Sequence, residues 1–317
     1  MPDHAAAPDP AALPDLLAEQ HRALREDHSG DVSQVNPRLA QVPPQTFALA
    51  AVELPSGTLH VAGDAGASFS LQSVVKPWLY ALALVDHGAQ VHEHVGVEPT
   101  GEPFDALVLE AETGRPPNAM VNAGALVSAS LVEGGDVATR LSRVLELCSR
   151  AAGRELCVDE EMAALELEHG DRNRALGYLG RSSGALRGDV EEALEVLTRA
   201  CAITVTATDL ALMAGTLGRW GRQPQSGEQV LPPRVVTDVL SVMATCGMYD
   251  GAGRWVHRVG MPAKSGVSGS LMAVAPGVLG IGSFSPPLDD NGNSVRGLQA
   301  CEVLSEQLGL HPFSPRG

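Results

Sequence analysis

Segments that favour β-strands lie towards both ends of this chain, and a long helix-forming block separates them. Short apolar and β-branched runs between Gly and Pro turns are typical of strands. The strands of the two ends most simply form one antiparallel sheet, with the helical block inserted as a second lobe. The predicted strands cover residues 47–54, 59–63, 255–259, 270–275 and 278–284.

The helix-forming block carries apolar residues at spacings of three and four, which is the pattern of amphipathic helices. One of its helices starts at Thr206 and Asp209, which resemble a capping box. Further helices are predicted near the two ends of the chain. The predicted helices cover residues 13–24, 125–132, 137–152, 171–179, 190–200, 206–220, 232–246 and 294–308.

This order of elements indicates an α+β protein with a cleft between a sheet lobe and a helical lobe, a natural place for a small-molecule site. We expect residues 1–25 to be a flexible N-terminal segment, because the first residues are rich in Ala, Pro and Asp. Residues 26–317 then form a single domain. Its sheet lobe covers about 26–75 and 250–317, and its helical lobe covers about 76–249.

Ser73 and Lys76 stand at the predicted start of a helix, with Pro77 in its first turn. Residues three apart share one face of a helix. A serine hydroxyl becomes a strong nucleophile when a base takes its proton, and a desolvated lysine can be that base. The S-x-x-K spacing is known from penicillin-binding proteins and serine β-lactamases. On its own this motif is weak, and its alternative is a surface serine and lysine on an ordinary helix.

The charge and composition exclude several kinds of partner. The chain has 317 residues and a net charge of −16, which argues against nucleic acid and anionic membranes as partners. No apolar run reaches the roughly 18 residues that a spanning helix needs. The acidic N-terminus also lacks the basic region of a secretory signal. We therefore expect a cytoplasmic protein that acts on a small molecule.

The cysteines are scattered along the chain in apolar surroundings, so we expect buried free thiols in a reducing compartment. They do not cluster with histidines at metal-ligand spacing. The sequence therefore predicts neither a metal nor a cofactor. The five cysteines are Cys148, Cys157, Cys201, Cys246 and Cys301.

Six motifs follow the Ser73 segment along the chain. Their order and spacing closely resemble the serine-dependent glutaminases, which share the β-lactamase and transpeptidase fold. The resemblance runs from about residue 28 to about residue 310, so it makes residues 26–317 one catalytic domain. The motifs are residues 97–104, 118–125, 170–173, 245–250, 262–267 and 285–295.

The resemblance implies an amidohydrolase that converts L-glutamine to L-glutamate and ammonia through a serine-linked γ-glutamyl intermediate. Ser73 is then the nucleophile, Lys76 is its base, and Tyr249 relays a proton to the leaving ammonia. The backbone N–H of Val267, with that of Ser73, forms the oxyanion hole. The family is commonly dimeric or tetrameric, so we expect a homodimer or homotetramer. The other substrate-binding positions are Asn122, Glu166 and Asn173.

These residue types suit the implied chemistry, because a zwitterionic amino acid needs a carboxylate for its ammonium and neutral donors for its carboxylate. Each also has a structural alternative. Asn122 and Asn173 could cap helices, and Glu166 could be a solvated acid in a Glu-rich stretch. Tyr249 could serve packing alone. Lys264 begins a segment that resembles the K-[ST]-G strand of the β-lactamases, but it could be a surface lysine.

Two positions depart from the family. Glutaminases carry a tyrosine in a G-K-x-A-x-Y-I-P segment that contacts substrate, and Val35 stands at that place here. A second family tyrosine precedes a Q-x-C-S-I segment, and Leu197 stands there. Each lost hydroxyl leaves a partner unpaired, at a cost of about 1–3 kcal/mol.

These apolar replacements leave two alternatives to a glutaminase. The first is a serine amidase of the same fold that acts on a different small amide. The second is a non-catalytic binding module, against which the intact Ser73, Lys76 and Tyr249 speak.

Overall fold

The computed structural model describes residues 12–102 and 106–314. Its largest sheet is antiparallel, has five strands and joins both ends of the chain, as the sequence predicts. The strand order is β3-β2-β9-β8-β7. These strands are β2 (Ala48–Glu53), β3 (Leu59–Gly63), β7 (Ala263–Gly266), β8 (Ser270–Ala275) and β9 (Leu279–Phe284).

Within the described ranges, two smaller antiparallel sheets accompany the main one, and each is built from very short strands. One has two strands in the order β1-β10, and the other has three in the order β4-β6-β5. Their strands are β1 (Asp31–Val32), β4 (Phe69–Ser70), β5 (Cys157–Val158), β6 (Ile203–Val205) and β10 (Pro287–Leu288).

α-Helices form most of the remaining secondary structure of the described residues. Most of them lie between β4 and β7, which is the helical block that the sequence predicts. Among the described residues, no helix is both long and apolar enough to cross a membrane. The helices are α1 (Leu13–Leu24), α2 (Pro37–Ala40), α3 (Lys76–His87), α4 (Asn122–Leu131), α5 (Val137–Ala152), α6 (Glu160–Glu168), α7 (Asp171–Ser182), α8 (Val190–Cys201), α9 (Ala207–Gly218), α10 (Pro233–Cys246), α11 (Ala252–Arg258) and α12 (Val295–Gln307).

The main sheet is covered on both faces because successive residues of its strands point to opposite sides. In β2, Ala48 and Ala50 join a core shared with the helical block, whereas Leu49 and Ala51 join a second core. Helices α1, α11 and α12 supply the other side of that second core. The sheet is thus sandwiched between two layers of helix.

Helix α9 lies directly on β9 because glycines let the two backbones approach closely. A Cβ atom at Gly280 would overlap the backbone of Gly215, and one at Gly282 would overlap the carbonyl oxygen of Ala207. The helix begins with the predicted capping box of Thr206 and Asp209. This contact anchors the helical block to the sheet.

The strand predicted for residues 255–259 is wrong, because this segment lies in and just after α11. Ala252, Trp255 and Val259 are buried at spacings of three and four, which is a helical pattern. The Trp255 indole also donates a hydrogen bond of 2.6 Å to the Met261 carbonyl. Residues 255–259 alone are too few to show this helical spacing, which starts at Ala252.

The flexible segment predicted for residues 1–25 is also wrong over the part that the structure describes. Residues 13–24 form α1, whose Leu13, Leu16 and Leu17 are buried in the second core. An apolar face of this kind gains free energy by packing on the sheet, which holds the helix in place. Residues 1–11 of the prediction lie outside the described residues.

The cysteines are all free, but not all buried. Cys148, Cys246 and Cys301 are buried as expected, whereas Cys157 is exposed and Cys201 is partly exposed. The expectation of a buried thiol is therefore wrong for Cys157, which lies on the very short strand β5.

Candidate active site

Ser73 and Lys76 lie where a short 3-10 turn, Gln72–Val75, leads into α3. The backbone N–H of Lys76 donates to the Ser73 carbonyl, so one 3-10 turn separates the two residues. Residues three apart eclipse one another in a 3-10 helix, which brings their side chains to the same side. Both residues are buried, so the reading as an ordinary surface pair is wrong.

The amine of Lys76 is held by the start of α4. Its Nζ atom donates to the Met120 carbonyl at 3.1 Å and to Asn122 Oδ1 at 2.7 Å. Asn122 in turn donates from Nδ2 to Asn173 Oδ1 at 3.0 Å. A chain of polar contacts therefore joins α3, α4 and α7, and it includes three of the predicted site residues.

The asparagines do not cap their helices. Val121 precedes α4 at the capping position, and Gly170 does so for α7. The turn before α4 is instead closed by Asn118, whose Oδ1 accepts from the Met120 and Val121 N–H groups at 2.9 and 3.2 Å. The side chains of Asn122 and Asn173 therefore do not cap helices and can face the cleft.

Tyr249 lies in the turn between α10 and α11 with a positive φ of 56°. Its hydroxyl donates to the Ser265 carbonyl at 3.0 Å and is hydrogen-bonded to Ser73. Burial raises the pKa of the Tyr249 phenol to about 12, while these two hydrogen bonds act to lower it. The tyrosine therefore does more than fill space, because its hydroxyl touches the predicted nucleophile.

Lys264 is fully buried on β7, so it is not a surface lysine. Its Nζ atom donates to the carbonyls of Gly247 and Ser265 at 2.9 and 2.8 Å and lies 3.9 Å from the centre of the Tyr249 ring. Burial, and then repulsion from Lys76 when its amine is protonated, hold the pKa of Lys264 well below its usual range. The side chain links β7 to the turn that carries Tyr249.

Val267 begins the turn between β7 and β8, close to the Ser73 segment. At the preceding Gly266, a Cβ atom would lie 2.9 Å from the Leu71 carbonyl oxygen. Ser270 on β8 also donates to that carbonyl, at 3.3 Å. The end of β7, just before Val267, is thus packed against the chain just before Ser73.

Glu166 lies near the end of α6 and is partly buried. Its Oε1 atom accepts from Gln72 Nε2 at 2.7 Å and from Asn36 Nδ2 at 3.5 Å. Burial raises the pKa of the Glu166 carboxyl, and the hydrogen bonds from Gln72 and Asn36 partly offset this shift. The alternative of a solvated surface acid is therefore wrong.

Sequence reasoning missed Gln72 and Asn36, the two amide donors to Glu166. Gln72 carries a signal, because it stands next to Ser73 in the S-x-x-K segment; in the structure its φ is positive, at 50°. Asn36 carries one too, since it replaces the isoleucine of the family segment G-K-x-A-x-Y-I-P.

The two positions that lack the family tyrosines have different surroundings. Val35 is 73% exposed, whereas Leu197 on α8 is 4% exposed and belongs to the core of the helical block. A larger side chain at Val35 therefore has room, while one at Leu197 meets packed neighbours.

The side-chain types near the candidate site indicate which chemistry it can perform. Over residues 12–102 and 106–314, His, Cys, Asp and Glu side chains form no group of three or more that could hold a metal ion. The described polar groups around Ser73 include a hydroxyl, amines, amides and the Glu166 carboxyl. Such a set is suited to acyl transfer by an activated serine.

Comparison with known proteins gives the family. The family model described as Glutaminase matches residues 30–313. A glutaminase of Clavibacter michiganensis subsp. michiganensis is 49% identical over 314 residues, which cover 99% of this chain and 96% of the relative. A glutaminase of Nostoc sp. is 45% identical over 305 residues, which cover 96% of this chain and 91% of the relative.

Solved structures show the same likeness in three dimensions. The crystal structure of Mglu in its glutamate form has a TM-score of 0.92 and 45% identity, covering 96% of this chain and 71% of that chain. The structure of ybaS, described as a probable glutaminase, has a TM-score of 0.93 and 36% identity, covering 97% of this chain and all of that one. The predicted α+β fold of the β-lactamase type is thereby confirmed. The chain belongs to the glutaminase family.

Proposed function

We propose that this protein hydrolyses L-glutamine to L-glutamate and ammonia through a γ-glutamyl ester on Ser73. The observation that carries the proposal is the contact of the Tyr249 hydroxyl with Ser73, with Lys76 one 3-10 turn further along the chain. Nucleophile, base and proton relay are thus together before any substrate arrives. The names of the glutaminase relatives support the choice of substrate.

In the first step, the Ser73 Oγ atom attacks the γ-carbonyl carbon of glutamine while its proton passes to the neutral amine of Lys76. The Met120 carbonyl and Asn122 Oδ1 accept hydrogen bonds from the Lys76 Nζ atom and orient it. In its neutral form the amine carries a lone pair that takes the serine proton. The oxygen that becomes negative lies against the backbone N–H groups of Ser73 and Val267, which stabilise it.

In the second step, the carbon–nitrogen bond breaks and the nitrogen leaves as ammonia. Tyr249 passes a proton to this nitrogen and recovers one from Lys76, so the protons balance. A water molecule then attacks the ester carbon, gives one proton back to Ser73 through the same groups, and releases L-glutamate. The enzyme returns to its starting state.

The α-amino and α-carboxylate groups of the substrate bind on the helical side of the cleft. Glu166 pairs with the ammonium group. Asn122 and Asn173 contact the carboxylate, and their mutual hydrogen bond fixes both amides. A preorganised arrangement of this kind lowers the entropy cost of binding.

A second substrate is favoured by one observation. Leu197 is buried in the core of the helical block at the place of the second family tyrosine. Its apolar side chain lacks the hydroxyl of that tyrosine, which suits a small amide that is less polar than glutamine. The same serine chemistry would then act on that amide, with no change in the roles of Ser73, Lys76 and Tyr249.

The test is ammonia release from L-glutamine and from a panel of other small amides, at equal concentrations of the enzyme. The proposal predicts the highest kcat/KM for L-glutamine. A higher kcat/KM for another amide would assign the site to the second substrate. Binding of L-glutamine without ammonia release from any amide would point to a non-catalytic binding module.

The same family membership and the cysteines support a proposal for the assembly and location of the protein in the cell. We propose a homodimer or homotetramer by analogy with the glutaminase family, and a single catalytic domain over residues 26–317, of which the family model matches residues 30–313. The free thiols support a reducing compartment such as the cytoplasm. Size measurement in solution tests the oligomer, and cell fractionation tests the location.

A further inference from the structure

Asn36 is a buried amide beside the carboxylate that is proposed to hold the substrate ammonium group. It is 1% exposed, and its Nδ2 atom lies 3.5 Å from Glu166 Oε1. The corresponding residue of the family segment is isoleucine, so this polar contact is a feature of this chain. It also lies next to Val35, where the family has a tyrosine.

The orientation of the Asn36 amide follows from the helix that it caps. Its Oδ1 atom accepts from the Arg38 N–H at 2.9 Å, which closes the first turn of α2. Because the oxygen is used by the cap, the NH₂ group must point the other way, towards Glu166. The helix start therefore determines which end of the amide the carboxylate meets.

Helix α2 is also held against α6, which carries Glu166. Arg38 donates to Asp159 Oδ2 at 2.8 Å and forms an ion pair with Glu161. Leu39 packs into a small apolar cluster with residues of α6. Asn36 thus cannot drift from α6 without breaking charged and apolar contacts together.

Within the described residues, Glu166 accepts hydrogen bonds on one carboxylate oxygen only. Gln72 and Asn36 both donate to Oε1, whereas no hydrogen bond reaches Oε2 from the part of the chain that the structure describes. A carboxylate held in this way presents its second oxygen in a fixed direction. That oxygen is the natural partner of an incoming ammonium group.

We infer that Asn36 is a positioning residue for the α-ammonium group of the substrate, acting through Glu166. The inference rests on the proposed function of the same site.

The test compares two substrates that differ only in the amino group, L-glutamine and glutaramate, its analogue without the α-amino group. In Asn36→Ser the hydroxyl keeps the helix cap but is too short to reach Glu166. We expect KM for L-glutamine to rise about fivefold to tenfold, with kcat within about twofold of the parent. KM for glutaramate should stay unchanged, because that substrate has no group for Glu166 to bind.

A second variant and a binding measurement distinguish a selective effect on the substrate amino group from a general loss of structure. Asn36→Thr keeps the cap in the same way and should show the same selective effect. Calorimetry should show weaker binding of L-glutamate by a similar factor and unchanged binding of glutarate. Asp136→Ala removes the matching cap of α5 and serves as the control, since it should lower the melting temperature without changing either KM.

The outcomes separate this inference from the proposed function. Parent enzyme that releases no ammonia from L-glutamine would overturn both. An active parent, with Asn36→Ser and Asn36→Thr unchanged in KM for L-glutamine, would overturn the inference alone. Equal losses on L-glutamine and glutaramate would also overturn it, because they would show a general structural role.

Discussion

The side chains of Lys264 and Tyr249 end on the same backbone carbonyl, that of Ser265. The Tyr249 hydroxyl donates to it at 3.0 Å and the Lys264 amine at 2.8 Å, while the amine lies 3.9 Å from the centre of the tyrosine ring. Lys264 also donates to Gly247 in the turn before Tyr249. Strand β7 therefore holds the turn in the strained backbone conformation that brings the phenol to Ser73.

Removal of the phenol hydroxyl should damage turnover more than binding. In Tyr249→Phe, we expect kcat to fall by about 10²- to 10⁴-fold, because proton transfer to the leaving ammonia loses its relay. KM for L-glutamine should change little. Steady-state kinetics measure both values.

Tyr80→Phe is the matched control for that change. Tyr80 is also buried, but its hydroxyl is paired with His92 at 2.9 Å instead of with Ser73. We expect a stability loss of about 0.5–1.5 kcal/mol and unchanged kcat. Equal loss of kcat in the two variants would argue against a special role for Tyr249.

Gly247→Ala should disconnect the tyrosine turn from β7. The new Cβ atom would overlap the carbonyl oxygen of Ala263, so the turn and the strand must separate. We expect lower kcat and a stability loss of about 1–3 kcal/mol.

Gly253→Ala is the control for this change. No atom lies within 4 Å of its new Cβ, so it should stabilise α11 by about 0.5–1 kcal/mol. Thermal melts and activity assays compare the two variants, and a fully active Gly247→Ala enzyme would refute the role of β7 in holding the Tyr249 turn.

The pH dependence of KM for L-glutamine should follow the ionisation of the Glu166 carboxyl. Burial raises its carboxyl pKa above the usual value, and only the ionised form pairs with the ammonium group. As pH falls through this raised pKa, Glu166 gains a proton and KM for L-glutamine rises. The rise should begin at a higher pH than for an exposed glutamate. Glutaramate, which lacks the amino group, should show no such rise, and identical profiles for the two substrates would contradict the assignment.

The two missing tyrosines should respond differently when restored. Val35 is 73% exposed, so Val35→Tyr has room, and we expect kcat/KM for L-glutamine to rise about twofold to tenfold if its hydroxyl regains a contact. Leu197→Tyr must fit into a packed core, so we expect a stability loss of about 1–3 kcal/mol. Kinetics on L-glutamine and other amides decide the result. No gain on L-glutamine, with loss on another amide that the parent hydrolyses well, would favour the second substrate.

Much of the fold is predictable because its longer elements repeat apolar residues regularly. Helix α5 matches its predicted range, and α9 starts at its predicted capping box. Helix α6 was missed because only Met162 and Ala163 of its residues are buried, which leaves no apolar repeat to detect. The shortest strands were missed for a different reason, since two or three residues carry no periodic signal and depend on distant partners.

In the candidate site too, residues within a local motif could be predicted, whereas residues brought together by packing could not. The motif residues Ser73, Lys76 and Tyr249 come together as expected, because local spacing and the resemblance to a family point to them. The donors to Glu166 could not be found in this way. Asn36 is 130 residues away from Glu166 along the chain, and only the packing of α2 on α6 reveals their contact.

The most direct test of this account is ammonia release from L-glutamine by Ser73→Ala. Alanine is smaller than serine and fits the same 3-10 turn, so the variant should fold with a melting temperature close to that of the parent. Since nucleophile and base act as a unit, we expect turnover to fall by about 10³-fold or more. Ammonia release near the parent rate by the pure, folded variant would show that Ser73 is not the nucleophile and would contradict the account.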